Sequence, residues 1–114
     1  MPIEIVVTDE FVLWWESLDE GEQISVRSVV DLLENLGVTL AFPLTTAIVQ
    51  SRKLRELRIQ HAGRPYRVLY AFDPARKAVL LVGGNKMGND RWYEEYVPWA
   101  ERIFADYLRE TSQK

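Results

Sequence analysis

Residues 55–84 read RELRIQHAGRPYRVLYAFDPARKAVLLVGG, and this stretch decides the fold. Three runs rich in β-branched and aromatic residues, over 55–61, 66–72 and 78–83, are divided by turn chemistry at Ala62-Gly63-Arg64-Pro65 and Asp73-Pro74-Ala75-Arg76. Links this short predict antiparallel hairpins, because parallel neighbours need a crossover of about ten residues or more. Alternation places Leu57 and Ile59 on one face of the first run, and Glu56, Arg58 and Gln60 on the other. The run 78–82 is apolar at every position, which predicts a central strand covered on both faces.

Outward from this sheet, residues 3–7 (IEIVV) read as a short strand. Thr8 or Asp9 can cap a helix carrying Phe11, Val12, Trp14, Trp15 and Leu18. Ser17-Leu18-Asp19-Glu20 fits a capping box with Ser17 as the cap. The helix after it repeats Val26, Val29, Val30, Leu33 and Leu36 at helical spacing and stops at Gly37. The two helices form a hairpin with an acidic outer face. Residues 38–50 (VTLAFPLTTAIVQ) read as irregular, since Pro43 opposes continuous structure. Residues 90–110 place Trp92, Tyr96, Trp99 or Ala100, Ile103 and Tyr107 on one helical stripe, with Trp92 and Trp99 expected in the core. The expected order is β-α-α-β-β-β-α. It is an α+β fold in one domain over 1–114: an N-terminal strand and αα-hairpin packed on a small, mainly antiparallel sheet, with a C-terminal helix.

A chain of 114 residues, 47% hydrophobic and 27% charged, can bury a core without staples and is not disordered by composition. The absence of cysteine excludes disulfides, thiolate metal sites and a cysteine nucleophile. His61 is the one histidine, so no mechanism can use two imidazoles, and a histidine metal site lacks ligands. At a hairpin turn it is expected to be solvated. No metal or cofactor is therefore expected. No apolar run approaches the roughly 20 residues of a membrane span, and MPIEIVVTDE lacks the pattern of an export leader, so a cytoplasmic protein without a membrane partner is expected.

The net charge of −3 conceals a strong segregation. Residues 1–51 carry nine acidic side chains against Arg27, whereas residues 52–77 carry eight basic side chains against Glu56 and Asp73. Such a block makes a local field that attracts a polyanion in spite of the net charge. Arg67, in mid-strand, is hard to bury unpaired. Two readings stand side by side: Arg67 or Arg58 pairs with Glu56 on the neighbouring strand, or the sheet presents a cationic surface suited to phosphate. The glycine-containing segment GGNKMGND (83–90) permits close backbone approach to a ligand, and Lys86 on it lies near the arginine-bearing strands. Tyr93 follows on the first helical turn, where its ring can stack on a base or its hydroxyl move a proton.

Glu56-Leu57-Arg58, Pro65-Tyr66-Arg67-Val68-Leu69-Tyr70 and the segment GGNKMGNDRWYEEYVPWA (83–100) together resemble the RelE/HigB toxins of bacterial toxin–antitoxin pairs, in the phage-derived HigB-like branch. The resemblance runs from about residue 3 to 110. It implies an endoribonuclease that cuts mRNA on the ribosome without metal, by attack of the ribose 2′-hydroxyl on the adjacent phosphate. It also implies a HigA-like helix-turn-helix antitoxin as partner. By position, the resemblance assigns Arg67 to the scissile phosphate, and Lys53, Arg55, Lys86 and Tyr93 to the remaining catalytic positions. Arg52, Arg58 and Arg64 are expected to contact RNA. The base that takes the 2′-hydroxyl proton is left open between Tyr93 and the lysines. Relatives of the same fold, the ParE toxins, poison DNA gyrase, so a non-catalytic binding protein is the competing expectation.

Overall fold

The computed structural model describes residues 2–112, so the outermost residues of the domain expected over 1–114 lie outside it. The elements are β1 (Ile5–Val7), α1 (Asp9–Glu16), α2 (Glu20–Leu36), β2 (Thr45–Ala47), β3 (Arg55–His61), β4 (Arg64–Phe72), β5 (Ala78–Asn85) and α3 (Trp92–Ser112). A 3-10 turn, Gly37–Thr39, follows α2. The strands form one sheet in the order β1-β5-β4-β3-β2. β1 runs parallel to β5, and every other pair is antiparallel. This is the α+β architecture expected from the sequence. One strand is additional: β2 forms inside the stretch read as irregular, where two threonines meet the open edge of β3 and Thr46 pairs with Glu56.

The helices divide the two faces of the sheet. Against α1 and α2, Leu57, Ile59, Val68 and Tyr70 pack on Phe11, Val26 and Leu33. Against α3, Leu69, Ala71, Val79 and Leu81 pack on Trp92, Val97 and Phe104. Each fully buried leucine or phenylalanine of these layers contributes about 1.5–3 kcal/mol. The run 78–82 is interior and buried throughout, between β1 and β4, although β4 is the middle strand of the five.

β5 contains a bulge. Leu69 pairs with Val82 and Tyr70 with Leu80, so Leu81 has no partner on β4. The extra residue turns both Leu81 and Val82 toward α3. Beyond it, Gly83 lies under Trp14 of α1, and Gly84 lies under Trp92 of α3. A Cβ on Gly83 would meet the Trp14 ring at 2.2 Å, and one on Gly84 would meet Trp92 Nε1 at 2.7 Å. These two glycines therefore seat tryptophans: the close backbone approach they permit is taken up by indole rings. In the loop that follows, Gly88 takes a positive φ of 72°.

Local corrections have similar physical causes. The capping box is Asp19 with Glu22, two residues later than expected. Ser17 is spent closing α1, with its hydroxyl donating to the Trp14 carbonyl. The β3–β4 turn is the pair Ala62-Gly63, with φ of 52° and 74°, because β4 already begins at Arg64. His61 is half-buried rather than solvated: its Nδ1 lies 2.8 Å from Ser25 Oγ, and Tyr66 meets it edge-on. Trp92 is buried as expected, but Trp99 is 38% exposed, because Ala100 takes the inward position on that turn of α3.

Candidate active site

The face of the sheet that carries α3 holds Glu56 and Arg58 of β3 and Arg67 of β4. By alternation these side chains share one side, and Arg58 stands directly opposite Arg67 in the register. β2 adds Thr46 at the edge. The loop after β5 brings Lys86, anchored where its N–H donates to the Pro65 carbonyl, and the first turn of α3 brings Tyr93.

Glu56 is the hub. Its Oε1 lies 3.3 Å from Arg67 Nε and accepts the Tyr93 hydroxyl at 2.6 Å. Its Oε2 accepts Thr46 Oγ1 at 2.6 Å. Arg67 Nη1 also donates to its neighbour's carbonyl, Tyr66 O, at 3.0 Å. Glu56 is 7% exposed and Arg67 3%, so the pair expected between neighbouring strands exists and is buried. Arg67 thus faces a carboxylate and not solvent. The accessible cations of this surface are Arg58 and Lys86, each backed by an aromatic ring. Arg58 Cζ lies 5.9 Å from the Phe42 centroid, and Lys86 Nζ lies 5.1 Å from the Tyr93 centroid.

The electrostatics separate the two groups that can move a proton. Burial, followed by the nearby Arg67 guanidinium, lowers the Lys86 pKa, with Glu56 opposing. Burial, followed by the hydrogen bond to Glu56, raises the Tyr93 phenol above its ordinary value, and the contact with Arg67 offsets only part of this. Tyr93 is therefore held protonated, as a donor. Lys86 gives up its proton more readily than a free lysine does.

The other candidates lie elsewhere. Arg52, Lys53 and Arg55 line a separate cleft with Leu54, Phe72 and Asp73, and alternation along β3 turns Arg55 to the face opposite Glu56. Arg64 sits at the β3–β4 hairpin with its guanidinium 5.8 Å from the Tyr66 ring, on the α2 side. The structure thus unites Arg58, Arg67, Lys86 and Tyr93, and leaves Arg52, Lys53, Arg55 and Arg64 outside that cluster. Sequence reasoning gave Glu56 a role only as an ion-pair partner and passed over Thr46 and Phe42. The alternation Glu56-x-Arg58 was the available signal for Glu56. For Thr46 and Phe42 there was none, because both lie on a segment with no periodicity.

Among the described residues, no helix is long and apolar enough to cross a membrane. Residues 13–105 match the family described as Phage derived protein Gp49-like (DUF891). The chain is 37% identical over 107 residues to the candidate toxin HigB3 of Mycobacterium tuberculosis, covering 91% of this chain and 92% of that protein. It is 38% identical over 99 residues to the candidate toxin HigB2 of the same organism, covering 83% of this chain and 49% of that protein. Among solved structures, a mutant of the Escherichia coli toxin RelE in the free state superposes with a TM-score of 0.60 at 10% identity, covering 86% of this chain and 98% of that one. The RelE chain of an archaeal RelE–RelB complex from Pyrococcus horikoshii superposes with a TM-score of 0.57 at 17% identity, covering 77% and 99%. These likenesses establish the RelE fold. Sequence and fold agree: the chain belongs to the phage-derived Gp49-like family, the HigB-type branch of the RelE-fold toxins.

Proposed function

We propose that this toxin is a metal-independent endoribonuclease that cuts mRNA on the ribosome and is held inactive by an antitoxin. The single observation that carries the reading is the cluster of Arg58, Arg67, Lys86 and Tyr93 around Glu56, on the α3 face of the sheet, with Arg58 and Lys86 partly exposed. Fixed cations can stabilise the charge of a pentavalent phosphorane, the dominant contribution in phosphoryl chemistry. In this reading Arg58 and Lys86 meet the phosphate, and buried Arg67 is a positioning residue that fixes Glu56 and Tyr93. The unprotonated fraction of Lys86, enlarged by its lowered pKa, takes the proton of the attacking 2′-hydroxyl and thereby becomes the cation that faces the phosphorane. The Tyr93 phenol donates a proton to the departing 5′-oxygen, leaving a cyclic phosphate and a free 5′-hydroxyl. The antitoxin follows by likeness to the RelE–RelB complex, and a HigA-like helix-turn-helix protein is the form proposed.

The test is induced expression in a bacterial host, scoring growth and mapping mRNA 5′ ends, beside Lys86→Gln shown to be folded by circular dichroism. Growth arrest with cuts inside translated codons, abolished by Lys86→Gln, is the expected result. Arrest with intact mRNA would replace the nuclease by a gyrase-type or other binding toxin. No arrest, with folded protein, would overturn the toxin activity itself.

A further inference from the structure

Phe42 is 72% exposed, a large apolar cost for a residue that contributes nothing to either core. It is nevertheless held in place. Leu44 N–H donates to the Ala41 carbonyl at 3.1 Å, closing a turn around Phe42 and Pro43. The Leu44 carbonyl accepts from Arg58 N–H at 2.9 Å, tying that turn to β3 beside the cluster. This backbone arrangement brings the ring beside the Arg58 guanidinium, whose Cζ is 5.9 Å from the ring centroid. Arg58 stands opposite Arg67, whose partner on β5, Gly84, lies two residues before Lys86, and Lys86 lies over Tyr93. The surface therefore reads as a strip in the order Phe42, Arg58, Lys86, Tyr93, with two cations flanked by two aromatic rings. Alternating rings and cations are what a single-stranded nucleic acid requires, with phosphates over the cations and bases against the rings. Sequence-specific recognition of RNA works on such unstacked bases.

We infer that Phe42 is the stacking platform for the RNA base next to the phosphate gripped by Arg58 and Lys86, and so a determinant of substrate binding. The inference rests on the proposed action on RNA and assigns one end of that site. Lys86 already lies over the Tyr93 ring, whereas Phe42 is 72% exposed, which makes Phe42 the more accessible of the two rings.

The experiment is fluorescence anisotropy at about 50 mM salt with a labelled hexanucleotide bearing 2′-O-methyl riboses, which cannot be cleaved. Stacking is worth about 1–3 kcal/mol per base, so Phe42→Ala should weaken binding roughly 5- to 150-fold. Phe42→Trp should restore binding, and Phe42→Leu, apolar but without a ring face, should not. Val49→Ala, at a position 98% exposed and outside the strip, should bind as wild type. Thermal melts should show all of these variants folded, since neither side chain is packed. If Arg58→Ala weakens binding while Phe42→Ala does not, the platform is wrong and the cationic grip stands. If neither matters, the strip does not hold RNA. Absence of wild-type binding overturns the platform whatever the cellular mRNA ends show, so the two readings fail separately.

Discussion

Replacing Arg67 by methionine should damage the fold before it damages chemistry, and the size of the effect follows from the geometry. Arg67 Nε and Glu56 Oε1 are 3.3 Å apart. At an effective dielectric of about 20 their attraction is about 5 kcal/mol. Desolvation takes back much of it, but losing one partner leaves a buried charge unpaired, typically at about 3–5 kcal/mol. A domain of this size has only about 5–15 kcal/mol in hand. Arg67→Met and Glu56→Gln should each destabilise by about 3 kcal/mol, moving the urea midpoint by roughly 1–3 M. The double variant removes both charges and should fall short of the sum by about 2 kcal/mol or more. The four tryptophans provide the fluorescence signal for these unfolding curves. Additivity within about 0.5 kcal/mol would refute a coupled buried pair. The same cycle guards any toxicity assay of an Arg67 variant, because loss of activity there bears on the site's chemistry only if the protein is still folded.

Tyr93→Phe should remove a component of the alkaline absorbance titration at 295 nm that lies above pH 10, since burial and Glu56 raise that phenol; a difference component below pH 10 would contradict the assignment of Tyr93 as a proton donor. At Asp73, burial pushes the carboxyl up, but hydrogen bonds from Lys77 N–H, the Tyr107 hydroxyl and the Ala75 backbone outweigh it and hold the pKa below the ordinary value. A depressed folded pKa gives stability that is present above the unfolded pKa of about 4 and lost as pH falls through the folded one. Asp73→Asn should therefore flatten the loss of stability below about pH 4, and parallel curves of urea midpoint against pH for the two proteins would exclude the contribution. Tyr107, pushed up to about 12 by burial and then by Asp73, should stay protonated until the strongly alkaline range in the same 295 nm experiment. Gly83→Ala should destabilise by about 1–3 kcal/mol or more, because its Cβ meets the Trp14 ring; an unchanged thermal midpoint would show that the ring moves freely aside.

The sheet and helices were legible because their residues repeat with periods the backbone imposes. The hairpins over 55–84 and the stripe from Trp92 to Tyr107 follow from spacing alone. β2 was not legible, since three residues carry no period and Thr45–Ala47 become a strand only because β3 presents an edge. At Gly83 and Gly84 the limit is related: in sequence a glycine announces close approach but not what approaches, and here it is indole. The Arg67–Glu56 pair was foreseen as one of two alternatives, and three-dimensional burial decides for it. The resemblance assigns Lys53 and Arg55 to catalytic positions, with Arg52 and Arg58 expected on the RNA. Alternation on β3 and the preceding loop carry Arg52, Lys53 and Arg55 away from the cluster, as a pleated strand must do with neighbours in sequence.

The division of the helices between the two faces of the sheet also gives the molecule a direction. The acidic side chains of residues 1–51 lie mostly on α1 and α2, on one side. The Arg58 and Lys86 cations lie on the opposite side of the sheet. Arg58 and Lys86 thus form a local positive patch on a molecule whose net charge is −3. A polyanion that comes near this patch is attracted before any atom makes contact, over about a Debye length, roughly 8 Å at physiological ionic strength, and the attraction fades as salt is added.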